Sequence, residues 1–319
     1  MSLFKQPSEF ETRKTLRILI YGEPGIGKST LALSAPDAAV IDFDDGICRV
    51  HTMHRFRSPE EPRDYKIYSW ENIDPILGGI CINHYESIVI DTVGKMLNLM
   101  DKNIIDTDSR MGMRDGSLTA KGYGKRKKMF IDFIDSISKN GKNLIFVAHE
   151  REEKQGEIIK KRPEIGGSSA GDLIKEMDLV GYVQAIGKDR TLTFDPNECY
   201  YAKNTCYLPE LIKLPVLVDK EGNAIGENNT LALIIQKYQE KQEKDKKIFD
   251  SYYFLIEEIK KQIEHINNAD DANTYISIMQ EMDNNKQHIF NSKMVARNLY
   301  SERVKKLGLK YNSETKQYE

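Results

Sequence analysis

The sequence predicts an α/β protein with a mostly parallel sheet, an antiparallel meander after it, and a small helical C-terminal region. Three observations carry this. Short apolar runs of strand length recur at 16–21, 38–41, 87–90 and 143–148. Helical stretches fall between them, near 28–34, 92–105 and 124–139, and strands alternating with helices build a parallel sheet buried on both faces. From about residue 240 the apolar residues repeat at three- and four-residue spacing, the mark of amphipathic helices.

In chain order, residues 1–14 are polar and read as an N-terminal arm, 15–235 as the core and 240–319 as the helical region. The first apolar run closes on Gly22 and reads as a buried strand. After residue 178, the segments 179–186, 191–194 and 199–202 read as short strands of the meander. Lys188-Asp189-Arg190 and Asp195-Pro196-Asn197 supply the turn chemistry between them. In the tail, Phe249, Tyr252, Ile256, Ile259, Ile263 and Ile266 mark one helix face, which Asn267-Asn268-Ala269-Asp270 breaks. Ala272, Tyr275, Met279 and Met282 mark a second helix, and 289–307 a third. Acidic and basic residues balance in this tail, which suits a bundle packing on the core or on a partner.

The 319 residues are 39% hydrophobic, enough for a packed core, and 30% charged, with a mean hydropathy of −0.55. The net charge of −2 supplies no global basic field, so any nucleic-acid site has to be a local patch. No apolar run approaches the roughly 18 residues of a membrane span, and the opening residues lack the pattern of a signal peptide. Cys48, Cys81, Cys199 and Cys206 are scattered without a CxxC pair, so neither a zinc site nor a redox motif is expected. The expectation is a reduced, cytoplasmic protein without membrane contact.

Gly22-Glu23-Pro24-Gly25-Ile26-Gly27-Lys28-Ser29 matches G-x-x-x-x-G-K-[ST] at every fixed position, and Thr30 continues it into a helix. Glycines let the backbone turn tightly enough to aim its N–H groups at phosphate oxygens. Lys28 is expected on the β- and γ-phosphates of ATP, and the Ser29 hydroxyl on Mg²⁺. The following helix adds the positive end of its dipole. The run 87–90 ends in Asp91-Thr92, which places a carboxylate beside the loop to hold the Mg²⁺ shell; capping the next helix is a compatible role.

Hydrolysis needs a base to orient water, and no Glu follows Asp91. The second strand instead runs into Asp42-Phe43-Asp44-Asp45-Gly46. Three carboxylates at one strand end repel unless a cation or water network lies nearby. Asp44 is the first candidate for the base and Asp42 the second, against the alternative of a solvated acidic turn. The strand 144–148 ends in His149-Glu150, where His149 could sense the γ-phosphate or simply satisfy local hydrogen bonds.

Taken together, the early phosphate loop, the acid ending the second strand, the bare Asp91-Thr92 and the polar residue closing the next strand resemble the RecA/RadA branch of P-loop ATPases. The resemblance covers about residues 14–215. Asp42-Phe43-Asp44-Asp45-Gly46, Val147-Ala148-His149-Glu150 and Tyr200-Tyr201-Ala202-Lys203-Asn204 narrow it to phage-encoded RecA-core proteins of the minimal recombinase or single-strand annealing type, often labelled AAA-family ATP-binding proteins. This resemblance implies a strand order of 5-1-4-3-2, a homo-oligomeric ring or filament, single-stranded DNA along its axis, and residence in the host cytoplasm. It also implies that a basic residue near the end of the core reaches a neighbour's γ-phosphate, for which Lys203 is the candidate. His149 and Asp44 depart from the Gln and Glu of RecA, and the shorter acid points to slow turnover.

Two basic segments are candidate DNA loops. The first runs from Arg110 through Lys121, Tyr123, Lys125, Arg126, Lys127 and Lys128, where cations and an aromatic ring suit phosphate contact and base stacking. The second includes Lys160, Lys161 and Arg162 and ends in a glycine- and serine-rich stretch at 166–171. Solvated surface is the alternative for both. The leading reading is a DNA-stimulated ATPase in recombination or annealing. The competing readings are an AAA+-type remodeller or loader, a small-molecule kinase, and an ATP-switched docking protein for a replication or single-strand-binding partner.

Overall fold

The computed structural model describes residues 13–55, 64–78, 84–166, 169–187 and 189–319. Most of the expected N-terminal arm, Cys81, Gly167-Ser168 and Lys188 lie outside the described residues. The chain divides into two compact units, 14–239 and a second containing 240–319.

The first unit opens with β1 (Arg17–Gly22), α1 (Lys28–Ala32), β2 (Ala38–Asp42), α2 (Thr52–Arg55), β3 (Asp64–Lys66) and α3 (Ile73–Gly78). It continues with β4 (Ser87–Asp91), α4 (Val93–Thr107), α5 (Ala120–Lys139), β5 (Asn143–Gln155), β6 (Ile158–Pro163) and α6 (Ser169–Glu176). The strands β7 (Leu179–Ile186), β8 (Asp189–Thr193), β9 (Lys203–Asn204) and β10 (Ile212–Lys213) follow.

The central sheet runs β10-β8-β7-β1-β5-β4-β2-β3. Counting only β1, β2, β4, β5 and β7 in chain order, its middle reads 5-1-4-3-2, the order that the resemblance implies. The strand β3, which has no clear signal in the sequence, adds a parallel edge beyond β2. The segment 179–186 belongs to the parallel core rather than to the meander, because β7 pairs parallel to β1, while β8 and β9 are the strands that pair antiparallel with it. The third expected strand is displaced: 199–202 is irregular and the pairing residues are Lys203 and Asn204.

Both sheet faces are covered, and β1 shows why its run is apolar throughout. Leu19 and Tyr21 face one core with residues of α4 and α5, while Ile18 and Ile20 face the other with Leu31, Ala32 and Leu231. This is the near-continuous apolar pattern that a doubly covered parallel strand requires. Asn143 secures the edge of β5 through its side-chain oxygen, which accepts the Leu16 N–H at 3.0 Å.

In the second unit, α7 (Thr230–Glu264) begins before residue 240 and is followed by α8 (Ala269–Asn284), α9 (Ser292–Lys306) and a hairpin of β11 (Tyr311–Asn312) and β12 (Gln317–Tyr318). Ile256, Ile259, Ile263 and Ile266 are buried together with Ala272, Tyr275, Met282, Ala296, Tyr300 and Val304. Phe249 departs from the expected face and is exposed. The Asn268 side chain caps α8 by accepting the Asp271 N–H at 2.9 Å, which explains the break at 267–270.

Candidate functional site

The parallel strands β1, β2 and β4 end at one edge, the usual place for a ligand in an open α/β sheet. The strand β5 does not stop at His149-Glu150 as the sequence suggests, but leaves the parallel sheet at this edge and continues to Gln155 in a hairpin with β6. Register sets the neighbours there. Gly22 lies opposite His149, and Asp42 opposite Asp91.

Between β1 and α1 the chain forms a tight loop with Gly25 and Gly27 at φ 78° and 100°, the left-handed region that disfavours other residues. Gly22 is required for a different reason: a Cβ there would collide with the Val183 carbonyl on β7. The helix α1 is five residues long, shorter than the sequence suggests. Lys28 is 6% exposed, and its Nζ donates to the carbonyls of Gly22 at 3.0 Å and Glu23 at 2.7 Å. Burial lowers its pKa, opposed by the carboxylates of Asp91, Glu150, Asp44 and Glu23. A buried ammonium among four carboxylates, folded along a glycine-rich loop, is a cation held ready for a polyanion.

Asp91 is buried at the end of β4. Its pKa is pushed up to about 6, first by burial, with a hydrogen bond from Ser29 and the charge of Lys28 opposing, and with Asp44 and Asp42 reinforcing. Its Oδ2 is buried with no hydrogen-bond partner among the described residues. An orphaned carboxylate oxygen beside a serine hydroxyl suits a hard divalent cation such as Mg²⁺. Among the described residues no three His, Cys, Asp or Glu side chains are grouped to hold a metal by themselves, so phosphate oxygens would have to complete such a shell.

The three carboxylates after β2 separate by environment. Asp42 is 2% exposed and accepts the backbone N–H groups of Asp44, Gly46 and Ile47 at 3.2, 3.3 and 3.3 Å. It shapes the turn. Asp45 pairs with Lys66 on β3. Asp44 has neither duty and approaches His149, with its Oδ2 3.9 Å from Nε2. His149 Nδ1 is buried without a partner among the described residues.

Glu150, next to His149, is a site residue to which the sequence alone assigns no role. It receives the Lys161 Nζ at 2.6 Å and the Tyr182 hydroxyl at 3.0 Å. Tyr182 stacks on Tyr200 and approaches Tyr21, whose hydroxyl donates to the Tyr201 carbonyl at 2.5 Å. The knot ties the root of the β5–β6 hairpin to β1 and β7. A charged residue after a strand gives no sign of such partners, because they come from distant segments.

The basic clusters of the two segments do not lie on loops, although the stretch 112–119 is irregular. Lys121 to Lys128 lie in the first turns of α5, and Lys160 to Arg162 lie on β6 in an antiparallel hairpin with β5. The Thr119 side chain caps α5 and starts it before residue 124. Arg126 is no candidate for DNA. It is 3% exposed, pairs with Asp101 at 2.8 Å, donates to the Gly166 carbonyl at 2.9 Å and lies 4.8 Å from the Tyr123 ring centre. Tyr123 is thereby half-buried with one ring face occupied, not an open stacking platform. Lys161 is held by Glu150 and Glu152, and Arg162 by Glu153. Lys121 and Lys128 remain exposed, with Lys125 half-buried, at the i, i+4, i+7 spacing of one helix face. Lys203 donates to the carbonyls of Ile174, Lys175 and Met177 at the end of α6; within one chain it closes a helix terminus.

Residues 14–206 match the family model described as an AAA domain. No curated protein matches the chain. Among solved structures, the RadB recombinase is similar at 13% identity and a TM-score of 0.34, over 57% of this chain and 84% of that one. The flagellar accessory protein FlaH from Methanocaldococcus jannaschii is similar at 11% identity and a TM-score of 0.34, over 62% and 84%. Similarity at this level carries no argument about function.

Proposed function

This chain belongs to the AAA-domain family, and from that premise we propose that it binds and hydrolyses ATP with Mg²⁺ and couples the reaction to single-stranded DNA during annealing or recombination. The observation that supports it best is the convergence of Lys28, Ser29, Asp91, Asp44 and His149 on one sheet edge, with a buried carboxylate oxygen unpartnered there.

In this reading the loop from Gly22 to Thr30 cradles the phosphates with its N–H groups, and Lys28 leaves its loop carbonyls to contact the β- and γ-phosphates. Ser29 and Asp91 would hold Mg²⁺, and the ion would supply neutralisation of charge on the phosphate oxygens. Asp44 orients the attacking water and accepts its proton, while His149 holds the Asp44 carboxylate and senses the γ-phosphate. Lys121, Lys125, Lys127, Lys128 and Lys160 contact the DNA backbone, within a homo-oligomeric ring or filament. Arg126 serves this indirectly, because its bond to Gly166 ties α5 to the segment that follows the hairpin.

The deciding experiment measures ATP hydrolysis by the full chain with and without oligo-dT. Stimulation by the oligonucleotide supports the reading, and turnover indifferent to DNA sinks its DNA half. The internal pairing of Lys161 and Arg162 favours a second reading, in which ATP switches the hairpin to dock a protein partner of the replication machinery. Hydrolysis without any DNA binding would select it.

A further inference from the structure

Beyond the phosphate loop, one cation points at it from the far side. Arg190 sits on β8, and its Nη1 lies so close to the loop that a Cβ on Gly27 would come within 3.2 Å of it. The strand holding it is anchored on both sides: Arg190 lies opposite Ala185 on β7, and its carbonyl accepts the Leu214 N–H at 2.9 Å. The guanidinium itself has no ion-pair or hydrogen-bond partner among the described residues. Its neighbour Asp189 is engaged by Lys213 at 2.8 Å, so the nearest carboxylate on the strand is already occupied. Lys188-Asp189-Arg190 reads as turn chemistry in the sequence, but the turn residue is Gly187, at φ 62°, and Arg190 is already in the strand.

We infer that Arg190 binds the α- and β-phosphates of the nucleotide held by its own chain, from the side of β1 opposite Asp91. The sheet order supports the choice of phosphates. Asp91, Asp44 and His149 lie on β4, after β2 and on β5, to one side of β1, whereas β7 and β8 lie to the other. The metal and the γ-phosphate belong with the first group. Gly27 precedes Lys28 and lies in the part of such a loop whose N–H groups cradle the α- and β-phosphates. Guanidinium is suited to the task, since its planar fork meets two phosphate oxygens at once. The inference rests on the ATP-binding reading above and adds a residue to it.

The test is a competition titration of a fluorescent ADP analogue with unlabelled ADP and ATP, on the full-length wild type, Arg190→Ala and Arg190→Lys. The exposed position predicts that both variants keep the wild-type far-ultraviolet dichroism. Arg190→Ala is expected to weaken ADP and ATP equally, by about tenfold, the size of one charge-assisted bond. Arg190→Lys should recover part of that loss because it restores the charge. Unchanged affinities in Arg190→Ala would make Arg190 ordinary solvated surface and overturn the inference while leaving the ATP reading intact. A loss confined to ATP would move the guanidinium to the γ-phosphate and overturn the assignment. A wild type that binds neither nucleotide would overturn the ATP reading, and this inference with it.

Discussion

Asp44 and His149 meet at 3.9 Å although their strands are not neighbours: β4 lies between β2 and β5. Asp44 lies two residues past the end of β2, and His149 lies within β5 where its parallel pairing with β1 ends; the two reach across the edge that Asp91 occupies. The proposed base and the proposed γ-phosphate sensor are therefore one unit. Asp44→Asn should keep ATP bound and slow hydrolysis by about 10²-fold or more, the usual size for a missing base. His149→Ala should slow it less. The double variant should fall short of the product of the two single effects, since groups that touch do not act additively. Multiplicative effects on kcat would mean that the pair is not coupled.

Asp42→Asn separates shape from chemistry. Its carboxylate accepts three backbone N–H groups, and the amide has only one oxygen to offer them. The expected outcome is a stability loss of about 1–2 kcal/mol by urea denaturation. Hydrolysis per folded molecule should fall far less than in Asp44→Asn. The reverse pattern would make Asp42 the base.

Lys28→Ala should abolish hydrolysis and greatly weaken ATP binding, because the loop loses its cation on the β- and γ-phosphates. Binding is read by titration with a fluorescent ATP analogue and turnover by phosphate release. Wild-type-like turnover would move the active site elsewhere.

Burial raises the Asp91 pKa from 3.8 to about 6, so pH should act on folding and on Mg²⁺ in opposite directions. Between those two values the folded chain keeps a proton that the unfolded chain releases. Stability without nucleotide should therefore fall as pH rises from about 4 to about 6 and level off above. Asp91→Asn should remove that slope and be more stable than the wild type at pH 7, on the order of 2 kcal/mol. Mg²⁺ needs the ionised form, so Mg²⁺-dependent ATP binding should weaken as pH drops below about 6. A variant less stable than wild type at pH 7 would count against an uncompensated buried charge.

The phosphate loop and the strand carrying Asp91 are legible in the sequence because each is written in a short stretch, a fixed glycine spacing or an apolar run closed by an acid. The middle sheet order comes only through the resemblance to the RecA/RadA branch. Pairings between distant segments are not. Arg126 looks like its neighbours Lys125 and Lys127 in sequence, and only Asp101 on α4 and the Gly166 carbonyl distinguish it. Helical phase holds a clue, since Arg126 lies four residues before the buried Phe130. Arg190 and Lys203 are hidden likewise. The first approaches a loop near the start of the core, and the second is held by the carbonyls that end α6.

Arg126→Ala should therefore act on the fold and not on DNA directly. Removing the guanidinium leaves Asp101 half-buried without its partner and frees the Gly166 carbonyl. A loss of about 2–4 kcal/mol is expected, seen as a lower urea midpoint at unchanged slope. A variant as stable as the wild type would mean that the pair contributes nothing to holding α5 against the segment after the hairpin.

The lysine face of α5 is the remaining direct test of the DNA reading. Each phosphate that a lysine neutralises releases condensed counterion, so affinity for single-stranded DNA should fall steeply with salt. Lys121→Ala/Lys125→Ala/Lys128→Ala leaves Arg126 and its ion pair intact, so weakened binding in this variant cannot be blamed on an unfolded helix. Its salt slope should be smaller by about 0.7 for each phosphate no longer neutralised, the single-strand value. ATP binding without DNA should not change, because none of the three lysines belongs to the phosphate loop or serves it in the proposed mechanism. Tyr123→Ala should cost less than the roughly 1–3 kcal/mol of a free stacking residue, since Arg126 already lies against its ring. The measurement is fluorescence anisotropy with oligo-dT at several salt concentrations, with a non-hydrolysable ATP analogue present. An unchanged slope in the triple variant would make this face ordinary solvated surface and leave Lys160 on the hairpin as the next cation to remove. A wild type that binds no DNA in any nucleotide state would end the DNA reading and bring the docking switch forward.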